Sequence, residues 1–364
     1  MAVERITSPD DPALAELCQE LARREADLDQ TNSWPAEQLR LCGEAGVFEW
    51  FLPPELGGQG WDDETVTRGY LALSKACLTT TFVITQRTGA CRRIAGGDNQ
   101  TLKDRLLPDL VTGATFATVG ISHLTTSRRH LDKPVLAAER IAGGWRLDGF
   151  APWVTGASHA DTVVVGATVV EHGETTADEM LVAVPADAVG FSAPSSFEMV
   201  ALSASKTGPA KLEGVEVSDE QIISGPVEKV MQKGIGAGTG GPQTSTLALG
   251  AASASLEILA EEASRREDLR DANDALRAEY SELLVDLLAA ARGAPNCPNE
   301  SLRQRANSCV LRASQAALTA TKGAGYLANA PAGRRCREAL FFLVWSCPQP
   351  VQNANLCELA GISV

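Results

Sequence analysis

Trp153 and Thr155 stand two residues apart in a stretch that reads as a β-strand, so their side chains leave the same face. A flat indole with a hydroxyl beside it suits a planar, hydrogen-bonding ring. A tryptophan buried in a β core with a threonine next to it is the plainer account of the same pair. The segment Ser122-His123-Leu124-Thr125-Thr126-Ser127-Arg128-Arg129-His130 collects a second set of reactive groups. Its arginines suit a phosphate or carboxylate, and His123 suits a general acid; a solvated loop explains the same residues. The glycine-rich stretch 234–241 precedes a long helix, where free N–H groups meet anions. No Lys-Ser/Thr follows it, so it is not a P-loop, and a connecting loop accounts for it as well. Cys347 has no His or Asp partner identifiable in the sequence and reads as a buried thiol. The nine cysteines form no CxxC pair and the four histidines lack helical ligand spacing, so no metal site is expected.

The wider composition limits what these groups can serve. The chain has 364 residues and a formal charge of −14, which argues against gripping nucleic acid or an anionic membrane surface. At 44% hydrophobic residues it can build sizeable cores. Its longest apolar stretches, such as 339–345, are far short of the roughly 20 residues that span a bilayer. The N-terminus lacks a secretory pattern, and scattered, unpaired cysteines fit reduced thiols, so a cytoplasmic location is expected.

The elements that must position these residues fall into three textures, expected as units at 1–113, 114–228 and 229–364. In the first, Asp11-Pro12 starts a helix carrying Leu14, Leu17, Leu21 and Leu28, and Trp34-Pro35 starts another that stops near Gly46. After the turn-rich segment 53–60, residues 63–111 read as helices broken near Gly89 and Gly96-Gly97. In the second, the period shortens to two at 115–119, 145–149, 162–165, 180–184 and 211–217, with a hairpin turn at Gly143-Gly144. A small antiparallel barrel or sandwich follows from that pattern. In the third, Leu276, Tyr280, Leu283, Leu284 and Leu287 form one helical face, and further helices at about 300–322 and 333–345 complete a four-helix bundle.

In this order, five motifs resemble those of the acyl-CoA dehydrogenase superfamily nearly end to end. Pro53-Pro54-Glu55-Leu56-Gly57-Gly58-Gln59-Gly60 resembles its "PEEYGGxG" loop. Gly144-Trp145-Arg146-Leu147-Asp148-Gly149, with Pro152-Trp153-Val154-Thr155-Gly156-Ala157 and Ala160-Asp161, resembles "GyxLnGxKxWITNaxxAD". Ser205-Lys206-Thr207 with 212–217 resembles "SxTxelxFedVxVP". Lys322-Gly323-Ala324-Gly325-Tyr326 resembles "GGNGY", and Arg337-Glu338-Ala339 resembles the "RDA" after it.

The resemblance implies a helical domain, a central β domain and a C-terminal bundle, FAD as cofactor (FMN or none being the alternatives), and a homodimer or homotetramer. It implies that Trp153 and Thr155 border the flavin, and that Val119 and Ser122, in place of "FALTEPxxGSD", contact its pyrimidine edge. Gly323 and Gly325 would help hold the dinucleotide across a subunit interface, although the "RxxFGxPL" that accompanies them is absent after Arg265-Arg266. The family's catalytic Glu of "YEGT" falls at Trp345-Ser346-Cys347-Pro348, so Ser346 stands where the acid belongs and the catalytic residue is unassigned. The alternative position on the first long bundle helix, within 241–250, holds no acid either, so a base would come from outside both places, such as Glu261 or Glu262. The expectation is a flavin-dependent oxidoreductase acting on an acyl thioester, such as an acyl-CoA, or a similar small substrate. The alternatives are a flavin monooxygenase on the same scaffold, which needs no α-proton base, and a catalytically degenerate homologue that binds an acyl thioester or a partner.

Overall fold

A computed structural model of the chain describes residues 4–125, 134–232 and 242–362. The N-terminal part is helical: α1 (Pro12–Thr31), α2 (Ala36–Glu44), α3 (Asp63–Ala76), α4 (Leu78–Gly96) and α5 (Gln100–Thr112). Local chemistry sets their ends. The Asp11 carboxylate accepts from the N–H of Ala13 at 3.0 Å with Pro12 in the first turn, and Asn32, at φ 52°, closes the other end of α1. Leu14, Leu17, Leu21 and Leu28 are its buried stripe. Asp62 caps α3 and Asn99 caps α5, and the Asn99 amide also donates to Glu220 O and Ile222 O, tying the helices to the sheet. The expected break at Gly89 is absent. α4 runs through it, and the chain turns instead at Cys77, whose φ of −157° interrupts the helical path. Between α2 and α3, a Cβ on Gly58 would lie 1.9 Å from Leu52 O, so only glycine fits that turn.

The centre is one sheet: β1 (Ala117–Gly120), β2 (Leu136–Ile141), β3 (Gly144–Val154), β4 (Thr162–Glu171), β5 (Glu174–Pro185), β6 (Phe191–Ser192), β7 (Gly208–Ser218) and β8 (Ile222–Glu228). The order is β6-β7-β3-β2-β4-β5-β8, with β1 added beside β4. The sheet is mixed rather than purely antiparallel, because β1 and β2 both pair in parallel with β4. Those two strands reach β4 through non-hairpin connections, which alternation along a single strand does not reveal. Period two holds on β4. Val163 and Val165 join the core that also contains Trp145, Leu147 and Val182, while Val164 joins Ala90, Cys91 and Ile94 of α4 on the opposite face. The four-residue helix α6 (Ser122–Thr125) follows β1.

The C-terminal part comprises α7 (Gln243–Arg265), α8 (Arg270–Ala291), α9 (Asn299–Gly325), α10 (Pro331–Ala339) and α11 (Gln349–Leu359), the last not anticipated from the sequence. Leu247, Leu256, Leu283, Leu287, Leu302 and Val310 form its core. The small residues of α7 let α3 approach closely, and the Ser74 hydroxyl donates to Leu247 O at 2.8 Å. α1 and α10 meet in a buried charged cluster. Glu25 accepts from Arg334 (2.8 Å) and from both terminal nitrogens of Arg335 (2.6 and 2.8 Å), and Arg335 also donates to Glu338 (2.8 Å). Among the described residues no helix is long and apolar enough to cross a membrane.

Candidate functional site

A cavity of about 930 Å³ opens where the three parts meet. Its walls come from α3 and α4, from the ends of β1 and β3, from the loop before β7, from the start of α7, and from α10 with the turn after it. Trp153, Thr155, Val119, Ser122 and Ser346 all line it. Gly323 and Gly325 do not. They follow a kink at Lys322 (φ 54°, ψ −147°) and precede Tyr326, which is 83% exposed.

Two hydrogen bonds fix the sheet side of the cavity. The Asp161 carboxylate accepts from the Phe116 N–H at 2.7 Å, setting β1 beside β4, and the Thr118 hydroxyl donates to Thr155 O at 2.7 Å. Val119 therefore faces the cavity next to the end of β3. The Thr155 hydroxyl lies 3.0 Å from that of Thr207, which lies 2.9 Å from that of Ser205. This buried chain of three hydroxyls ends on the cavity wall. Trp153 is 51% exposed, and Phe197 packs on it with ring centres 4.8 Å apart. A large aromatic left half open beside a cavity is the exception to normal burial.

The opposite wall is aromatic. Phe341 and Trp345 stack at 4.9 Å, and Phe82 sets its edge against both. Ser346 follows at φ 44°, a left-handed backbone that a non-glycine residue adopts at a cost. The carboxylates on the cavity wall, among the described residues, are Asp63 and Glu198. Asp63 is 3.5 Å from Arg92, and Glu198 sits next to Phe197 on an exposed loop.

Other expected groups lie elsewhere. His123 is buried rather than solvated, with Nε2 2.7 Å from Gly166 O, and burial lowers its pKa; it is off the cavity wall. Glu261 and Glu262 pair with Arg265 and Arg266 at the end of α7, away from the cavity. The Cys347 thiol is 4.0 Å from the Asn355 amide, and burial pushes its pKa up, the opposite of an activated nucleophile. Arg128, Arg129, His130 and the glycine-rich 234–241 lie outside the described residues. Sequence reasoning missed Arg92 and Arg93, which line the cavity from α4, although three cations and no acid in one otherwise uncharged helix, with Arg87 the third, were a visible signal. It also left Thr207, Phe82 and Phe341 without a role, because nothing local marks a residue that meets a cavity only through tertiary packing.

A helical unit, a mixed sheet and a helical bundle around a cavity with one half-open tryptophan define a fold of the acyl-CoA dehydrogenase kind. Residues 12–114 match the family model described as acyl-CoA dehydrogenase, N-terminal domain. The chain is 26% identical over 242 residues to the probable acyl-CoA dehydrogenase YngJ of Bacillus subtilis (strain 168), covering 65% of this chain and 63% of that one, just under two thirds of its length. Its fold matches the structure of a glutaryl-coenzyme A dehydrogenase in complex with glutaryl-CoA at TM-score 0.81 and 18% identity, covering 97% and 96% of the two chains. It also matches KijD3 in complex with FMN and a dTDP-linked amino sugar at TM-score 0.74 and 18% identity, covering 97% and 93%. The domain match at 12–114, the curated relatives and the solved structures all point to one superfamily, that of the acyl-CoA dehydrogenases, whose fold this chain has.

Proposed function

We propose that this protein is a flavin-dependent oxidoreductase acting on an acyl thioester or a similar small substrate. One observation carries the reading: Val119, Ser122, Trp153, Thr155 and Ser346, widely separated in sequence, line a single cavity. The donor set fits a flavin. Trp153 supplies a flat apolar face. If Ser205 donates to Thr207 and Thr207 to Thr155, the Thr155 proton is free to point at an acceptor in the cavity. When bound, a flavin supplies an acceptor for two electrons, which no side chain here provides. Gly323, exposed in the last turn of α9, and the buried Gly325 beside it lie off the cavity and would reach a dinucleotide only in concert with a second copy of the chain, which fits a homodimer or homotetramer.

The chain's own residues would orient the substrate and move a proton. Phe82, Phe341 and Trp345 offer an apolar bed that excludes water from the reacting carbon. Ser346 offers a hydroxyl but no useful base. Glu198, adjacent to the Phe197 that packs on Trp153, is the carboxylate on that side of the cavity and the group that would accept an α-proton.

Ser346 at the acid's position favours a second reading, an oxygen-dependent flavin monooxygenase, which needs no such base. Purified protein reconstituted with FAD or FMN separates the cases. Anaerobic bleaching of the flavin bands by an acyl-CoA supports the first reading. Bleaching only by a flavin reductase or dithionite, followed by oxygen-dependent hydroxylation of a substrate, supports the second. Absence of bound flavin after reconstitution sinks both and leaves a non-catalytic, ligand-binding homologue.

A further inference from the structure

Arg93 is an anomaly in the wall of this cavity. It is only 9% exposed, and its one hydrogen bond runs back along its own helix, from Nη1 to Gly89 O at 2.9 Å. Its Nε is buried without a partner, and among the described residues no carboxylate pairs with it. Burial alone acts on the group, lowering its pKa to about 10. The guanidinium packs closely on this turn of α4: a Cβ on Gly89 would stand 3.5 Å from Nη1 and 3.6 Å from Val119, ordinary van der Waals contact. Arg92, the next residue, meets the same cavity about 100° further round the helix.

A buried guanidinium with unused donors is costly unless something takes them. Arg87, one turn and a half earlier, shows the contrast. It is buried and unpaired as well, but its guanidinium carbon sits over the Phe48 ring, 3.8 Å from the centre, and it does not line this cavity. Arg93 lines a cavity, and the aromatic cluster of Phe82, Phe341 and Trp345 lines the same one.

We propose that Arg93 forms an oxyanion subsite, binding carboxylate or phosphate oxygens of a ligand whose apolar body rests on the aromatic wall. The inference concerns the cavity already assigned to flavin and substrate but holds whether or not flavin is bound. The anion has two sources, a substrate carboxylate or a cofactor phosphate, and both present a pair of anionic oxygens to the guanidinium fork.

Calorimetry on the purified full chain tests this with phenylacetate and its uncharged isostere phenylacetamide, alongside the flavin content read from visible absorbance. Wild type should bind phenylacetate about tenfold or more tightly than phenylacetamide, as expected for charge-assisted hydrogen bonds. The gap should close in R93M and persist in part in R93K, with inorganic phosphate competing only where an arginine or lysine remains. Without ligand, R93M should melt higher than wild type, because it removes an uncompensated charge. If instead the two probes bind alike but R93M alone loses its flavin, the subsite serves the cofactor's phosphate. Equal probe affinities with unchanged flavin content would overturn the proposal, as would an R93M that is less stable than wild type and is rescued by R93Q, a purely structural pattern. A wild type that binds no flavin removes the oxidoreductase reading while leaving the phenylacetate comparison intact.

Discussion

Replacing Glu25 by Gln tests whether the α1–α10 cluster holds the first helix to the bundle. Glu25 is 3% exposed and accepts three charge-assisted hydrogen bonds from Arg334 and Arg335. The cluster's two carboxylates and two guanidiniums balance. Gln keeps the shape, but its amide group turns donors towards donors and leaves a net buried positive charge. Arg334 then has no acid partner, since its ion pair is with Glu25. Breaking a buried pair from one side costs about 3–5 kcal/mol. At a urea slope of a few kcal/mol per molar for a chain of this size, the midpoint should fall by roughly 1 M or more. Adding R334M removes the orphaned cation and leaves Arg335 with Glu338, so the double variant should recover about 1–3 kcal/mol relative to additivity. A loss below about 1 kcal/mol for E25Q, or strict additivity in the cycle, would refute the view that this cluster is a desolvated unit.

Three further outcomes follow from the same structure. Burial, only partly offset by the Arg335 it shares with Glu25, raises the Glu338 pKa to about 7, so the folded chain binds a proton that the unfolded chain releases near 4.5. Stability should therefore decline as pH rises between those values, and E338Q should flatten that decline in urea titrations at pH 5, 6 and 7. Trp153→Ala should weaken flavin retention by about tenfold or more, roughly 1.4 kcal/mol, while barely moving the melting temperature, because the side chain is half exposed and outside the cores; unchanged flavin affinity on equilibrium dialysis would remove Trp153 from the site. Gly69→Ala should destabilise by about 1–3 kcal/mol, since its Cβ would come within 2.5 Å of the buried Trp50 ring, which is itself stacked on Trp61; a neutral result in chemical denaturation would show that this ring yields freely.

Much of the fold was legible because the signals were local. Asp11-Pro12 and the leucine stripe behind it specify α1 with no help from the rest of the chain, and the valines of β4 announce a strand by alternation. Gly89 misled because glycine inside a helix signals a break only when the helix is not held by packing; α4 is buried on nearly every side, so tertiary contact overrides propensity. β2 and β8 were missed because Leu136–Ile141 and Ile222–Glu228 carry charge, glycine or proline at their partly exposed positions. At the site, motif order brought out Trp153, Thr155, Val119, Ser122 and Ser346, which do share a cavity. Arg93 was not legible in that way. Its importance comes from a missing partner, and a missing partner is a property of the folded neighbourhood rather than of the residue.

The cavity wall is assembled from segments near residues 63–93, 119–207, 242–246 and 337–346, so no one part of the chain owns it. Whatever occupies it acts as a clasp between parts that otherwise meet through their own contacts. A ligand present at a hundred times its dissociation constant adds about 2.7 kcal/mol to the whole assembly at once. Filling the cavity should therefore tighten the cooperativity of unfolding, merging the transitions of the helical, sheet and bundle parts, and emptying it should let a protease find the seams between them first.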